Sequence, residues 1–138
     1  MELSIRKADK KDEKAILEIL KEMDVYYPSL EMKDFWVAEE NEEILGVVQL
    51  EEYPDFVYLG SLAVKTGQQG RGIAKKLLNE TLPKFSKNIY LYTIIPDFFV
   101  KFGFKAASWQ PPDLPSKDRF ECQFCHAEKC VCMVKYPQ

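Results

Sequence analysis

The chain has 138 residues, the size of one domain, and 46% hydrophobic with 13% aromatic content excludes a disordered chain. Lys+Arg 19 against Asp+Glu 22 leaves a net charge of -3, without the basic excess of a nucleic-acid binder. No apolar run approaches the roughly 20 residues of a membrane span, and Met1-Glu2-Leu3-Ser4-Ile5-Arg6 lacks the apolar stretch of a signal peptide, so residues 1–138 are expected to form a single cytoplasmic domain with no membrane or nucleic-acid partner.

Leu3 to Ala8 alternates and predicts a first strand. Ile16, Leu17, Ile19, Leu20 and Met23 have helical spacing and predict a helix from Asp12 to Met23, with Asp9 and Asp12 as candidate N-caps. Tyr26-Tyr27-Pro28 breaks the pattern. Phe35 to Glu39 and Ile44 to Glu51 predict strands joined by the polar turn Glu40-Asn41-Glu42-Glu43, and Phe56 to Val64 completes a meander. That third strand is nearly all apolar, which predicts a central position covered on both faces. After a Gly- and Gln-rich loop, Gly72 to Phe85 predicts a helix that Pro83 closes early. Ile89 to Ile95 predicts a strand ended by Pro96, Asp97 to Phe102 a short helix, Phe104 to Trp109 a strand and Val131 to Tyr136 a last one. The expected class is α+β, a mixed and mostly antiparallel sheet of about six to seven strands with about four helices against it.

The informative stretch runs from Leu62-Ala63-Val64 through Gln69-Gly70-Arg71-Gly72 to Ile73-Ala74-Lys75. A central strand enters a glycine-rich loop, and a helix begins directly after it. Unpaired N–H groups and the positive dipole end collect at a helix N-terminus, and glycines let the backbone approach an anion. Phosphate or pyrophosphate is the expected ligand, with Arg71 and Lys75 assisting; the alternative is a glycine-rich surface turn. A Walker A loop is excluded by the missing Gly-Lys-Ser/Thr, and a dinucleotide fingerprint by spacing and by the position of the loop in mid-chain.

Gln69-Gly70-Arg71-Gly72-Ile73-Ala74 resembles the Q/R-x-x-G-x-G/A loop of the GNAT acetyltransferase superfamily, and Phe98-Phe99-Val100-Lys101-Phe102-Gly103-Phe104 resembles its F-Y-x-K-x-G-F motif. Ile5-Arg6-Lys7-Ala8 before an amphipathic helix is also typical, so the resemblance covers about the first 110 residues. It implies an acetyl-CoA-dependent N-acetyltransferase that moves an acetyl group directly to a primary amine, with CoA held between two splayed strands, here Phe56–Val64 and Ile89–Thr93. Carried over, Leu62, Ala63 and Val64 would hold pantetheine, with the Val64 N–H polarising the thioester carbonyl. Gln69, Gly70, Arg71, Gly72, Ile73, Ala74 and Lys75 would hold the pyrophosphate, and Phe98 and Phe102 would pack on the coenzyme, core packing being their alternative. Phe99 stands where the family often has a Tyr that protonates the leaving thiolate. Water, Tyr58, Ser61 and Tyr92 are the candidate substitutes; Glu51, Glu52, Asp55 and Asp97 are the nearby carboxylates.

The four cysteines, Cys122, Cys125, Cys130 and Cys132, lie in one short segment outside the general pattern of that family. Such a cluster suits one tetrahedral Zn2+, with His126 as an alternative ligand, or else free redox thiols or a disulfide. The short spacing between Thr93 and Phe98-Phe99, Gly103-Phe104-Lys105, Asp113-Leu114-Pro115, the Cys segment and Met133-Val134-Lys135 together resemble the single-domain N-acetylglutamate-synthase-like branch. This resemblance implies a small amine acceptor such as the α-amino group of glutamate, for whose carboxylates Arg6, Lys33, Lys101 and Arg119 are the candidate cations. The alternatives are a protein or peptide N-acetyltransferase and a CoA-binding sensor without turnover. A homodimer is also expected from the resemblance.

Overall fold

Alternating and all-apolar segments in the middle of the chain assemble the centre of a seven-stranded sheet. The structure, a computed structural model, describes residues 3–27, 30–115 and 130–137. In chain order the elements are β1 (Ser4–Lys7), α1 (Glu13–Glu22), β2 (Phe35–Glu40), β3 (Glu43–Glu52), β4 (Phe56–Val64), α2 (Ile73–Thr81), β5 (Asn88–Thr93), α3 (Pro96–Val100), β6 (Lys105–Ala106) and β7 (Val131–Lys135). The strands lie in the order β1-β2-β3-β4-β5-β7-β6, and every pairing is antiparallel except β4 with β5. The mixed α+β class expected from the sequence is the class observed. Three α-helices and three 3-10 turns (Lys10–Asp12, Met32–Asp34, Leu82–Lys84) are found among the described residues, against about four helices expected.

Two helical layers sandwich the sheet. On one face α1 inserts Ile16, Ile19 and Leu20, spaced three and four apart, onto Phe35, Val37, Val47 and Ala63. On the other face Ile73, Leu77 and Leu78 of α2, with Phe99 of α3, pack on Val48, Leu50, Val57, Leu59, Ile89, Leu91 and Met133. A third cluster lies beyond α1 on the first face: Phe56, Tyr58, Tyr90, Cys132 and Val134, under Ala107 and Leu114.

Local chemistry accounts for most boundaries. The Asp9 carboxylate accepts the Lys11 N–H, and the Asp12 carboxylate accepts the Asp9 N–H, a reciprocal cap that starts a 3-10 turn ahead of α1. In the turn between β2 and β3, Asn41 and Glu42 both take positive φ, which suits the twist of a tight hairpin. α2 stops at Thr81 because Pro83 follows, and the chain tightens into Leu82–Lys84. Two expectations are corrected. β5 ends at Thr93, whose Oγ1 accepts the Ile95 N–H, and Pro96 begins α3, where its fixed φ and missing N–H fit the first helical turn. β6 is only Lys105–Ala106, since the chain leaves the sheet after the Ala107 N–H bonds the Cys132 carbonyl and heads for Pro111 and Pro112.

Candidate active site

The site begins where β4 is bent. Val48 faces Leu62 across the β3–β4 ladder, but Leu50 faces Leu59, so β4 carries one extra residue at Gly60-Ser61 opposite Gln49. Such a bulge bends a strand and re-aims the residues beyond it. Its effect is visible in the packing: Leu59 and Leu62, three apart, both join the α2-side cluster. Any side chain at Gly60 would press on the Gln49 amide, since a Cβ would lie 2.0 Å from its Oε1.

Below the bulge β4 pairs with β5 at three positions only, Phe56 with Asn88, Val57 with Ile89 and Tyr58 with Tyr90. Above them β5 continues against β7 and β4 against β3, and the two parallel strands part. The Lys65 N–H donates to the Leu45 carbonyl on β3 at 2.8 Å. Main-chain groups alternate sides along a strand, so the N–H groups of Val64 and Leu62 turn away from β3, into the opening. Of the three expected pantetheine positions, Leu62 and Val64 thus turn backbone donors to this gap, whereas Ala63 sits between them in the α1-side cluster.

The loop above it is held by its own glutamine. The Gln69 Nε2 donates to the Val64 carbonyl at 2.9 Å, and its Oε1 accepts the Gly67 N–H at 3.1 Å. Gly70 and Gly72 take φ of +83° and +78°, a region that disfavours side-chain-bearing residues. Gln69 and Gly70 form a turn that closes on Arg71, and the main-chain N–H groups from Gly72 to Lys75 precede the first bond of α2, which runs from the Lys76 N–H to the Gly72 carbonyl. Four consecutive residues, Gly72 to Lys75, thus present donors at a helix N-terminus, the arrangement an anion asks for. Arg71 is engaged beside the loop, donating to Gln68 Oε1 at 2.7 Å and Glu40 Oε2 at 2.8 Å. Lys75 is exposed.

On the α1 face of the gap lies a polar and aromatic floor. The Ser61 Oγ donates to the Val25 carbonyl at 2.8 Å, and the Tyr27 hydroxyl donates to Gln49 Oε1 at 2.8 Å. The rings of Tyr58 and Tyr92 stand 6.0 Å apart. The Tyr92 hydroxyl donates to the Pro115 carbonyl at 2.7 Å, and burial, followed by Cys132 and Cys130, pushes the phenol up to about 12. Ser61, Tyr58 and Tyr92 are thus on or beside one surface. Phe99 points into the α2-side core, edge-on to Phe98 and Phe104. Phe98 and Phe102 are half-buried at the rim of that core, and Phe102 also lines a groove of about 730 Å³ with Leu82, Phe85 and Ile89.

The carboxylates separate. Glu52 pairs with Lys87, Asp55 and Asp97 are exposed, and Glu51 accepts the Tyr53 hydroxyl at 2.9 Å. Sequence reasoning missed Tyr27, Gln49 and Asp34. Gln49 reads as a polar interruption in a buried strand, and that was the available signal; Tyr27 and Asp34 carry none. Asp34 is buried, and burial, with the Glu51 carboxylate second, pushes it up to about 6. Among the described cation candidates, Arg6 is held by Asp12 and Glu39, Lys33 pairs with Glu31, and Lys101 lines the groove with Phe102. Cys130 is half-buried and Cys132 is buried beside the floor. Cys122, Cys125, His126 and Arg119 lie outside the described residues. Among the described residues no three His, Cys, Asp or Glu side chains gather as metal ligands.

The acetyltransferase (GNAT) domain family matches residues 31–106. Among solved structures, N-acetylglutamate synthase from Neisseria gonorrhoeae, complexed with coenzyme A and N-acetyl-glutamate, superposes with a TM-score of 0.77 at 19% identity, over 100% of this chain and 36% of that one. The chain therefore spans about a third of the length of that synthase. Rv2747 from Mycobacterium tuberculosis, in complex with CoA and NLQ, gives 0.73 at 16% identity over 98% and 99% of the two chains. Arabidopsis thaliana Naa50, in complex with the bisubstrate analogue CoA-Ac-MVNAL, gives 0.70 at 22% identity over 98% and 99%.

Proposed function

The chain belongs to the acetyltransferase (GNAT) family, and we propose that it transfers an acetyl group from acetyl-CoA directly to the primary amine of a small molecule, with amino acids as the first class to test. The observation that carries this reading is the parting of β4 and β5 above Tyr58 and Tyr90, under the N–H groups of Gly72 to Lys75 that open α2. The pyrophosphate would be bound by those groups at the positive end of α2. Pantetheine would lie along the N–H groups of Leu62 and Val64, and the Val64 N–H would meet the charge that develops on the thioester oxygen. The acceptor would approach over the floor formed by Tyr27, Ser61, Tyr58 and Tyr92. The Tyr92 hydroxyl, raised to about 12 first by burial, keeps its proton at neutral pH and gives it to the Pro115 carbonyl, so Tyr92 would shape the floor and leave protonation of the departing thiolate to water or another hydroxyl.

A glutamate acceptor needs cations for its carboxylates, and the described candidates, Arg6, Lys33 and Lys101, are each placed elsewhere. Glutamate is therefore one member of the proposed acceptor class. A peptide amine is the second reading, favoured by the likeness to Naa50 along nearly the whole chain.

The test is release of free CoA from acetyl-CoA across amino acids, polyamines and peptides, with calorimetry of acetyl-CoA alongside. Saturable turnover with an amino acid or another small amine is expected. Turnover with peptides alone would move the assignment to the second reading. Binding without turnover would make the chain a CoA sensor, for which the absence of a hydroxyl at Phe99 is the supporting feature. Absence of both binding and turnover would reject the reading.

A further inference from the structure

Gln49 is completely buried on β3 in the centre of the sheet, among apolar neighbours. Its Oε1 accepts two hydrogen bonds, from the Tyr27 hydroxyl at 2.8 Å and from the Ser61 N–H at 3.4 Å. A main-chain N–H can only donate, so the amide oxygen, not the nitrogen, must face Ser61. The Nε2 is left buried with no partner. An unpaired buried donor destabilises a fold, and a Leu or Met of similar shape would avoid it. The amide is nevertheless accommodated at the expense of a side chain at position 60, where a Cβ would stand 2.0 Å from Oε1 and 3.0 Å from Cδ.

The two bonds to Oε1 join parts of the chain that are far apart in sequence. Tyr27 belongs to the segment after α1, and Ser61 belongs to the bulge of β4. Ser61 ties the same segment a second time, through the bond from its Oγ to the Val25 carbonyl. Three residues, Tyr27, Gln49 and Ser61, therefore bind the 25–27 segment to the bend that parts β4 from β5. Immediately beyond the bend, Leu62 and Val64 turn their N–H groups into the gap. We propose that Gln49 is a positioning residue that couples the acceptor-side segment at Val25–Tyr27 to the thioester-holding backbone of β4. The coupling to catalysis rests on the acetyltransferase reading above; the tie itself does not.

Two variants separate the arms of this tie. Gln49→Met removes the shared oxygen and the orphan N–H together, and Tyr27→Phe removes the hydroxyl that bonds the 25–27 segment to Gln49 while keeping Gln49 itself. In the ligand-free protein, amide exchange of Ser61 is expected to accelerate roughly tenfold or more in Gln49→Met, and Tm to fall, because the buried Tyr27 hydroxyl and Ser61 N–H lose their acceptor. In the turnover assay, Gln49→Met is expected to lower kcat about tenfold, and Tyr27→Phe to raise the acceptor KM about fivefold with kcat within about twofold. A structural filler would shift Tm without dividing kcat from KM. Unchanged Ser61 exchange, or unchanged kinetics in Gln49→Met, would overturn the proposal. If the parent neither binds nor turns over acetyl-CoA, the acetyltransferase reading fails by itself, and Ser61 exchange alone decides whether Gln49 holds the bulge.

Discussion

Gly72 opens α2 at φ +78°, and an alanine Cβ there would meet no atom within 4 Å. Substitution at this position is felt through the backbone alone. Gly72→Ala is expected to cost about 1–2 kcal/mol of stability, since the left-handed region carries that penalty for a residue with a side chain. It is also expected to weaken acetyl-CoA binding by displacing the N–H groups; chemical denaturation and calorimetry measure the two effects. Two carboxyls define a pH profile of opposite signs. Asp12 is held at about 2, first by its hydrogen bonds to Arg6 at 2.7 and 2.9 Å. Its stabilisation, about 2 kcal/mol, is complete above the unfolded value of 3.8 and is lost as pH falls through about 2. Asp34 is raised to about 6, so the folded state binds its proton more tightly than the unfolded chain does, and stability increases as pH falls from about 6 towards 3.8. From these two groups, Tm is expected to peak between the two limbs in a melting series over acidic pH. Asp34→Asn should flatten the upper limb and Arg6→Met the lower; a parent Tm that climbs steadily up to neutral pH would contradict the Asp34 part.

At the scale of the element, the β4 bulge is the decisive device. Gly60→Ala places a methyl group against the Gln49 amide, which is already enclosed. Overpacking of this kind costs about 1–3 kcal/mol, and urea denaturation is expected to show a loss in that range. The double variant with Gln49→Ala should recover much of it, because the clash is with that one side chain. Equal losses in the presence and absence of Gln49 would place the strain in the backbone instead. The strand itself was readable from Phe56 to Val64, since a nearly all-apolar run bounded by turn residues implies burial on both faces. The bulge was not. One extra residue opposite Gln49 becomes visible only when β3 and β4 are in register. The same limit applies to β5, where Ile94 and Ile95 extend the apolar pattern although the strand has already ended at the Thr93 bond.

For the whole molecule, the gap between β4 and β5 is an incomplete core that a bound molecule would fill. Acetyl-CoA at about a hundred times its Kd is expected to stabilise the fold by roughly 2.7 kcal/mol through mass action. For a domain of this size that corresponds to a rise in Tm on the order of 10 °C. Thermal denaturation with acetyl-CoA, with free CoA and without ligand measures it, and no shift at millimolar acetyl-CoA would count against the gap as its site. The anion loop was legible because its chemistry is local: Gly70 and Gly72 permit the turn, and α2 supplies the dipole next to them in sequence. The floor of the gap was only partly legible. Tyr58, Ser61 and Tyr92 were named as isolated candidates, whereas Tyr27 and Gln49 join them through contacts that span the chain.

The order of residues by itself therefore determined the features that depend on near neighbours: the strands of the meander, the amphipathic faces of α1 and α2, the early end of α2 at Pro83, and the glycine loop with its motif. Periodicity, proline and glycine act within a few residues, so they can be read without a fold. The tertiary structure alone decided the short pairing of β4 with β5, the fate of Arg6 as the partner of Asp12 and Glu39, the core position of Phe99, and the Tyr27–Gln49–Ser61 tie. Each of these depends on burial, register or a partner from another element, quantities that exist only after distant segments have packed together.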